Sequence, residues 1–487
     1  MAPGRFIRQS SPLAAVLMLL VGCASPVEDE PSAPDLRLTP LTDVNPDPEI
    51  VEVELAAAEG SARYIEAGKA EIWGYRDAAL PGSRARVPGP MLQVRQGQRV
   101  IVHFRNELPE ATTIHWHGLR VPNASDGTPS VQRAVEPGDT FDYEFRAVDS
   151  GTFWYHPHLR SDVQIERGLY GVVVVRGGPK VAVDADRAFV LDDVKLLATG
   201  KLSEDTSALD VMLGRQGNVV LANGVRRGEI SVKSGARERW RFVNSANGRY
   251  FNLRLRGHPF TVVSWDGGPL PEPYETDKLL IAPGERYEVL VRFPDREGSE
   301  LTLETLHHDR GHDVPDPGPI PVFDIRVQGS TSQTARLPST WGPAVELDVP
   351  SDATERVVKL AESERSEDGL PRFFFNDHAF PDVPVIEAVS GDVERWRVVN
   401  DTEMDHPFHV HGLFFHVLDV NGERAPHEGW KDTINLPRKQ TVLLALRYEE
   451  PGTWMYHCHI LEHAERGMMA ELTVADASET PSKESEP

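Results

Sequence analysis

Apolar and polar positions alternate along most of this chain in runs too short to be helices. Arg99-Val100-Ile101-Val102-His103-Phe104 puts Val100, Val102 and Phe104 on one face, and Tyr287-Glu288-Val289-Leu290-Val291 is a similar run with more apolar content. Period-two alternation marks a half-buried strand, because successive side chains of a strand point to opposite faces. Pro-Gly pairs punctuate these runs, and long stretches with helical spacing are scarce. The pattern predicts an all-β chain of Greek-key sandwiches or barrels.

One of these runs occurs three times. Gly97-Gln98-Arg99-Val100-Ile101-Val102-His103-Phe104-Arg105-Asn106, Gly235-Ala236-Arg237-Glu238-Arg239-Trp240-Arg241-Phe242-Val243-Asn244 and Gly391-Asp392-Val393-Glu394-Arg395-Trp396-Arg397-Val398-Val399-Asn400 are versions of one strand. Pro137-Gly138, Pro283-Gly284 and Pro437-Arg438 each open a second repeated strand. A chain of 487 residues is too long for one core. The repeat predicts three like domains, roughly 51–178, 179–330 and 345–475.

The ends of the chain read differently. Arg5 and Arg8 precede an apolar run from Leu13 to Val21, too short to span a bilayer, so residues 1–22 are expected to be an export signal. Leu20-Val21-Gly22-Cys23 resembles the bacterial lipobox, which implies cleavage before Cys23 and a lipid on its thiol. Ala24 is not aspartate, so the resemblance implies an outer-membrane lipoprotein, with the periplasm as the expected compartment. Residues 23–50, rich in proline and acid, read as an extended tether, and residues 476–487 as a disordered tail. A formal net charge of -24 argues against nucleic acid as a partner. The expected state is a monomer.

The chemistry-bearing residues keep the register of the repeat. Eighteen and twenty residues after Gly97 stand His115 and His117, and the same offsets from Gly391 give His409 and His411. From Gly235 they give Leu253 and Leu255, so the middle domain keeps the strand without the imidazoles. A second motif repeats as Gly151-Thr152-Phe153-Trp154-Tyr155-His156-Pro157-His158 and Gly452-Thr453-Trp454-Met455-Tyr456-His457-Cys458-His459. Side chains at i and i+2 of a strand face one way, roughly 6 to 7 Å apart, which suits two imidazoles gripping one metal or two. The four His-x-His pairs belong to the two outer domains, so a cluster built from them lies at their interface.

One stretch adds a different ligand set. Cys458 lies between His457 and His459, with His463 five residues on and Met468 ten residues on, a thiol, imidazole and thioether combination that suits a blue copper centre. In the first domain Thr112, Pro157, Asp162 and Arg167 fall where the third has His406, Cys458, His463 and Met468, so the first domain has no such centre. The chain has two cysteines and needs no disulfide, since Cys23 carries lipid and Cys458 carries metal.

With these motifs the chain resembles the three-domain multicopper oxidases of cupredoxin fold, the family of bacterial laccases, bilirubin oxidases and cuprous oxidases. The resemblance implies four copper ions. His406, Cys458, His463 and axial Met468, with Met469 as the alternative, would hold the type 1 ion; His115 and His409 the type 2 ion. His117, His156 and His459 would hold one ion of the type 3 pair and His158, His411 and His457 the other. It also implies one-electron oxidation of a small donor at type 1, electron transfer through Cys458, and reduction of O2 to water at the other three. Asp126, in Asp126-Gly127-Thr128-Pro129, matches the acidic residue that relays protons in relatives.

Relatives often carry glutamate where this chain has Ala464; Glu462 or Glu465 are candidate substitutes. The implied donors are phenols or aromatic amines. The alternative is a metal-ion oxidase for Cu(I) or Fe(II), though the eight methionines form no cluster beyond Met468-Met469. A non-enzymatic scaffold is the remote alternative. His307, His308 and His312 form a loose cluster that could hold an auxiliary metal.

Overall fold

The three copies of the repeated strand lie in three separate sheets of the same construction. The structure is a computed structural model and describes Met1 and residues 35–478, except 313, 332–339 and 364. Ile50–Ile65 runs parallel to Arg99–Glu107, which pairs antiparallel with Thr140–Arg146. Ala185–Val194, Arg237–Asn244 and Arg286–Arg292 repeat the arrangement, and so do Glu355–Ser363, Val393–Asn400 and Thr441–Arg447. A second sheet accompanies each of these, giving three two-sheet sandwiches with no sheet shared between them. The chain is all-β with cupredoxin-like sandwiches, as the alternation predicts; helices among the described residues are short.

Each repeated strand buries the apolar face that its alternation marks. Val100, Val102 and Phe104, then Trp240 and Phe242, then Trp396 and Val398 are wholly inaccessible and centre three distinct apolar cores. Two residues before each strand the chain turns through a left-handed conformation, φ 92° at Gly97, 72° at Gly235 and 93° at Gly391, which favours glycine.

The asparagine that ends each copy has a specific task. Asn106 Nδ2 donates to the carbonyls of Glu110 and Val135, Asn244 Nδ2 to those of Arg249 and Ile281, and Asn400 Nδ2 to those of Met404 and Leu436. Each Oδ1 accepts from the amide two residues on, at Leu108, Ala246 and Thr402. Buried amides saturated in this way fix a loop as firmly as a ladder would. That loop leads to the strand carrying the imidazoles, or the leucines, of the next layer.

The tether expectation is corrected from residue 35 on. Leu36 is buried and its carbonyl accepts from Asn223 Nδ2 at 2.6 Å; Leu41 N donates to Met91 O at 2.9 Å, and Thr42 N to Asp77 Oδ2 at 2.9 Å. Leu36, Leu38 and Leu41 all pack on the cores, which the surrounding prolines and acids conceal in a compositional reading. Cys23, the signal segment after Met1 and residues 479–487 of the tail lie outside the described residues. Among the described residues no helix is long and apolar enough to cross a membrane.

Candidate metal centre

The His115–His117 strand pairs antiparallel with Gly151–His156, and the His406–Val410 strand with Gly452–Cys458. The registers match: His115 lies opposite His156, and His409 opposite His457. Ring centroids within the four His-x-His pairs are 5.8, 6.3, 5.0 and 5.5 Å apart, a little closer than strand spacing alone suggests. The two outer sandwiches bring the pairs face to face. His115 stacks on His411 at 3.8 Å and His117 on His409 at 3.8 Å. His158 Nε2, His411 Nε2 and His457 Nε2 converge, with His457 3.3 Å from His158 and 3.2 Å from His411. His117 Nδ1 lies 3.5 Å from His156 Nε2, and the His459 ring is 5.0 Å from that of His117 and 5.6 Å from that of His156.

The nitrogens that face inward have been left for something else. His115 Nε2, His409 Nε2 and both nitrogens of His459 are buried without a hydrogen-bond partner, a cost that a metal ion removes. The outward nitrogens are held: His115 Nδ1 donates to Asp126 O at 2.8 Å, His409 Nδ1 to Asp432 O at 2.9 Å, and His457 Nδ1 to Cys458 O at 2.9 Å. Such outer bonds fix which nitrogen a metal meets. Burial drives the pKa of His117, His156, His158, His411, His457 and His459 well below the ordinary imidazole value, so the rings are neutral and ready to ligate. The Trp154 ring covers one side, 4.1 Å from His156 and 5.1 Å from His117.

A second set lies beside the first. Cys458 Sγ is 3.5 Å from His406 Nδ1 and 3.7 Å from His463 Nδ1, and those two nitrogens are 3.1 Å apart. All three residues are fully buried. Met468 is fully buried in the same apolar cluster, and its carbonyl accepts from Cys458 N at 3.0 Å. Met469 is half-buried and pairs with His457 on the neighbouring strand. Thr402 Oγ1 meets His406 Nε2 at 2.8 Å, Met212 O accepts from His463 Nε2 at 3.1 Å, and Phe373 stacks on His463 at 3.8 Å. A thiol with two imidazoles and a thioether at hand suits copper better than a hard cation, and the imidazole cluster suits it equally.

Asp126 is 1 % exposed, and its carboxylate accepts from His411 Nδ1 at 3.0 Å and lies 3.3 Å from His115 Nδ1. Burial alone would raise its pKa; the two imidazoles hold it well below the usual carboxylate range. Glu462 and Glu465, the candidate substitutes for the acid missing at Ala464, point elsewhere. Glu462 accepts from Asn247 of the middle sandwich at 2.9 Å, and burial pushes its pKa up to about 7. Glu465 accepts from Ser161 N at 2.8 Å and Ser161 Oγ at 2.9 Å. His308 pairs with Asp405 at 2.9 Å and His312 with Glu362 at 3.3 Å, and no group of three or more convergent ligands among the described residues includes either, or His307.

The sequence reading missed the cluster's counter-charge. Asp432 Oδ1 meets His117 Nε2 at 3.2 Å, and Thr433 Oγ1 meets the same nitrogen at 3.1 Å. Arg286 of the middle sandwich grips both Asp432 oxygens at 2.6 Å and is itself 1 % exposed. Against the burial that would raise it, this guanidinium holds the Asp432 carboxyl well below its ordinary range. The neighbouring Gly284 has φ 86°, and a Cβ there would sit 2.7 Å from the His459 ring. The signal was available: Arg286 occupies the slot of Thr140 and Gln440 in the other repeats, a charged residue where they carry neutral ones.

Family profiles described as multicopper oxidase match residues 65–180, 192–300 and 350–478. The chain belongs to the multicopper oxidase family. It is 28% identical over 425 residues to multicopper oxidase mco of Staphylococcus haemolyticus (strain JCSC1435), covering 84% of this chain and 87% of that protein. It is 26% identical to the laccase of Bacillus subtilis (strain 168), covering 83% and 90%. Among solved structures it resembles the multicopper oxidase from Campylobacter jejuni, described as a metallo-oxidase, with TM-score 0.81, 28% identity and coverage of 91% and 96%. As a member of the multicopper oxidase family the protein is a copper-binding oxidoreductase that takes electrons from a reducing substrate and passes them to O2.

Proposed function

We propose that the protein is a laccase-type multicopper oxidase holding four copper ions, with phenols or aromatic amines as donors. The observation that carries this reading is the convergence of eight buried imidazoles from two sandwiches beside a buried Cys458 flanked by two of them. His406, Cys458, His463 and Met468 hold the type 1 ion; His115 and His409 the type 2 ion. His117, His156 and His459 hold one ion of the type 3 pair, and His158, His411 and His457 the other. The bound copper supplies one-electron chemistry at the sulfur site and four-electron reduction of O2 to two waters at the imidazole site.

The chain's own residues do the rest. Cys458 joins the two sites through a single peptide on either side, and the bond from His457 Nδ1 to the Cys458 carbonyl adds a direct link. Burial of the imidazole cluster and the cover of Trp154 keep bulk water from the O2 site. Asp126, touching a type 2 and a type 3 ligand at once, orients both rings and lies where protons must arrive. Replacing it with asparagine keeps the shape and removes the base. Asp126→Asn is expected to slow reoxidation of the reduced enzyme by O2 about 10- to 100-fold, the usual effect of losing an outer partner of a metal ligand, with the blue absorption intact. Unchanged stopped-flow reoxidation would remove Asp126 from the proton route.

Donor class is tested by O2 uptake with dimethoxyphenol, Cu(I) and Fe(II) side by side. The phenol is expected to give the highest kcat/KM; a preference for Cu(I) by orders of magnitude would make the protein a metal-ion oxidase instead.

A further inference from the structure

In a chain with a net charge of -24, one cavity carries the opposite sign. A pocket of about 570 Å³ in the middle sandwich is lined by Arg226, Arg227, Arg249, Arg310, His307 and His308, and no Asp or Glu is among the described residues that line it. Its remaining wall mixes apolar residues, Val314 and Ile320 among them, and Tyr250 with the polar Gln216, Asn218 and Thr305. Two of the arginines are neutralised from behind, Arg249 by Asp193 at 2.5 Å and Arg227 by Asp324 at 3.1 Å, and His308 pairs with Asp405. Arg226 and Arg310 have no carboxylate within ion-pair distance among the described residues.

Arg310 is the informative one. It is 1 % exposed, and its partners are all neutral: Gly248 O at 2.6 Å, the side-chain oxygen of Gln216 at 2.6 Å from Nη2 and 3.3 Å from Nε, and the face of Tyr250 at 5.8 Å. A buried guanidinium with its hydrogen bonds made and its charge uncompensated is expensive unless an anion arrives.

Two of the lining residues, Tyr250 and His308, link the pocket to the sulfur site. Tyr250 belongs to the apolar cluster that contains Cys458 and Met468, and its hydroxyl donates to Asn435 Oδ1 at 3.0 Å. Asn435 lies opposite Pro407, next to His406. His308 stacks on Tyr250 at 5.2 Å and holds Asp405, the residue before His406. Unpaired cations beside a stacked His308–Tyr250 pair suit an aromatic anion and repel a metal cation.

We propose that this pocket binds the anionic group of an aromatic donor, a phenol carrying a carboxylate or sulfonate, and seats its ring beside His308, which stacks on Tyr250, for electron transfer to the type 1 site. The proposal rests on the assignment of that site given above. Each donor would give up one electron at the type 1 site and its phenolic proton to solvent, leaving a phenoxyl radical; four such losses would supply the electrons that turn O2 and four protons into two waters.

The test compares syringate, which is anionic, with neutral dimethoxyphenol on the copper-loaded enzyme. In Arg226→Glu and Arg310→Gln the ratio of their kcat/KM values is expected to fall about fivefold or more against the starting enzyme. Arg424→Glu, whose arginine side chain is 82% exposed and distant in sequence from the pocket, serves as the charge-matched control and should keep the ratio. Calorimetric titration with trimethoxybenzoate, which has no phenol to oxidise, should show weaker binding in Arg226→Glu than in the control. Arg226 is exposed, so its variant tests the pocket even if Arg310→Gln fails to fold. An unchanged ratio in Arg226→Glu, or an equal fall in the control, would overturn the pocket. Failure of the starting enzyme to oxidise dimethoxyphenol would instead overturn the laccase-type reading.

Discussion

Cys458→Ser protein is expected to come out of copper loading colourless. The blue colour of such a centre comes from the copper-thiolate bond, and among the described residues Cys458 is the one thiol: it is buried, 3.5 and 3.7 Å from the two imidazole nitrogens that would share its ion. Serine is smaller, binds copper poorly and leaves the neighbouring strand pairing untouched. The eight imidazoles across the interface keep their geometry, because the pairing of His409 with His457 is a backbone matter. Bound copper should therefore fall by about one ion per chain and not to zero. Donor oxidation should fall by more than about a hundredfold, since loss of a mere outer partner of a metal ligand already costs 10- to 100-fold. Absorption spectra with metal analysis decide the matter; blue absorption surviving the substitution would put the sulfur site elsewhere.

Much of this site was legible because it is local. A strand has a fixed period, so His115 and His117 had to share a face, and constant offsets from Gly97, Gly235 and Gly391 showed that the middle repeat has leucines where the outer ones have ligands. Leu253 and Leu255 are indeed wholly buried core residues. The asparagine that closes each repeat was visible as a letter, but its role, tying the loop that follows it to a carbonyl some thirty residues on, needed coordinates. Long-range charge pairing was invisible. Arg286 and Asp432 are 146 residues apart, and no period or spacing links an arginine in a metal-free sandwich to an acid in a metal-bearing one. The stretch from residue 35 misled for the opposite reason: its prolines and acids outweighed three leucines that the fold buries, Leu36 almost wholly and Leu38 and Leu41 in part.

That long-range pair carries the second large expectation. Arg286→Met should destabilise the protein by ~3–5 kcal/mol, because it leaves Asp432 as an uncompensated charge in a site 1 % exposed. The urea midpoint is expected to fall accordingly, and the type 2 and type 3 coppers to load poorly, since Asp432 holds His117 and His409. A second substitution separates the two effects. If Asp432 is also made Leu, the buried charge disappears and most of the stability should return, as it commonly does when an ion pair is replaced by packed apolar groups. Copper loading should not return, because the carboxylate that turns His117 toward the metal is gone, although the backbone carbonyl of residue 432 still holds His409. A midpoint unmoved by Arg286→Met would mean that water reaches the pair, and recovery of copper in the double variant would mean the imidazoles need no such hold. The middle sandwich, which lost its own ligands, would then be a spacer; with both outcomes as expected, it is the source of the charge that keeps the cluster's ligands in place.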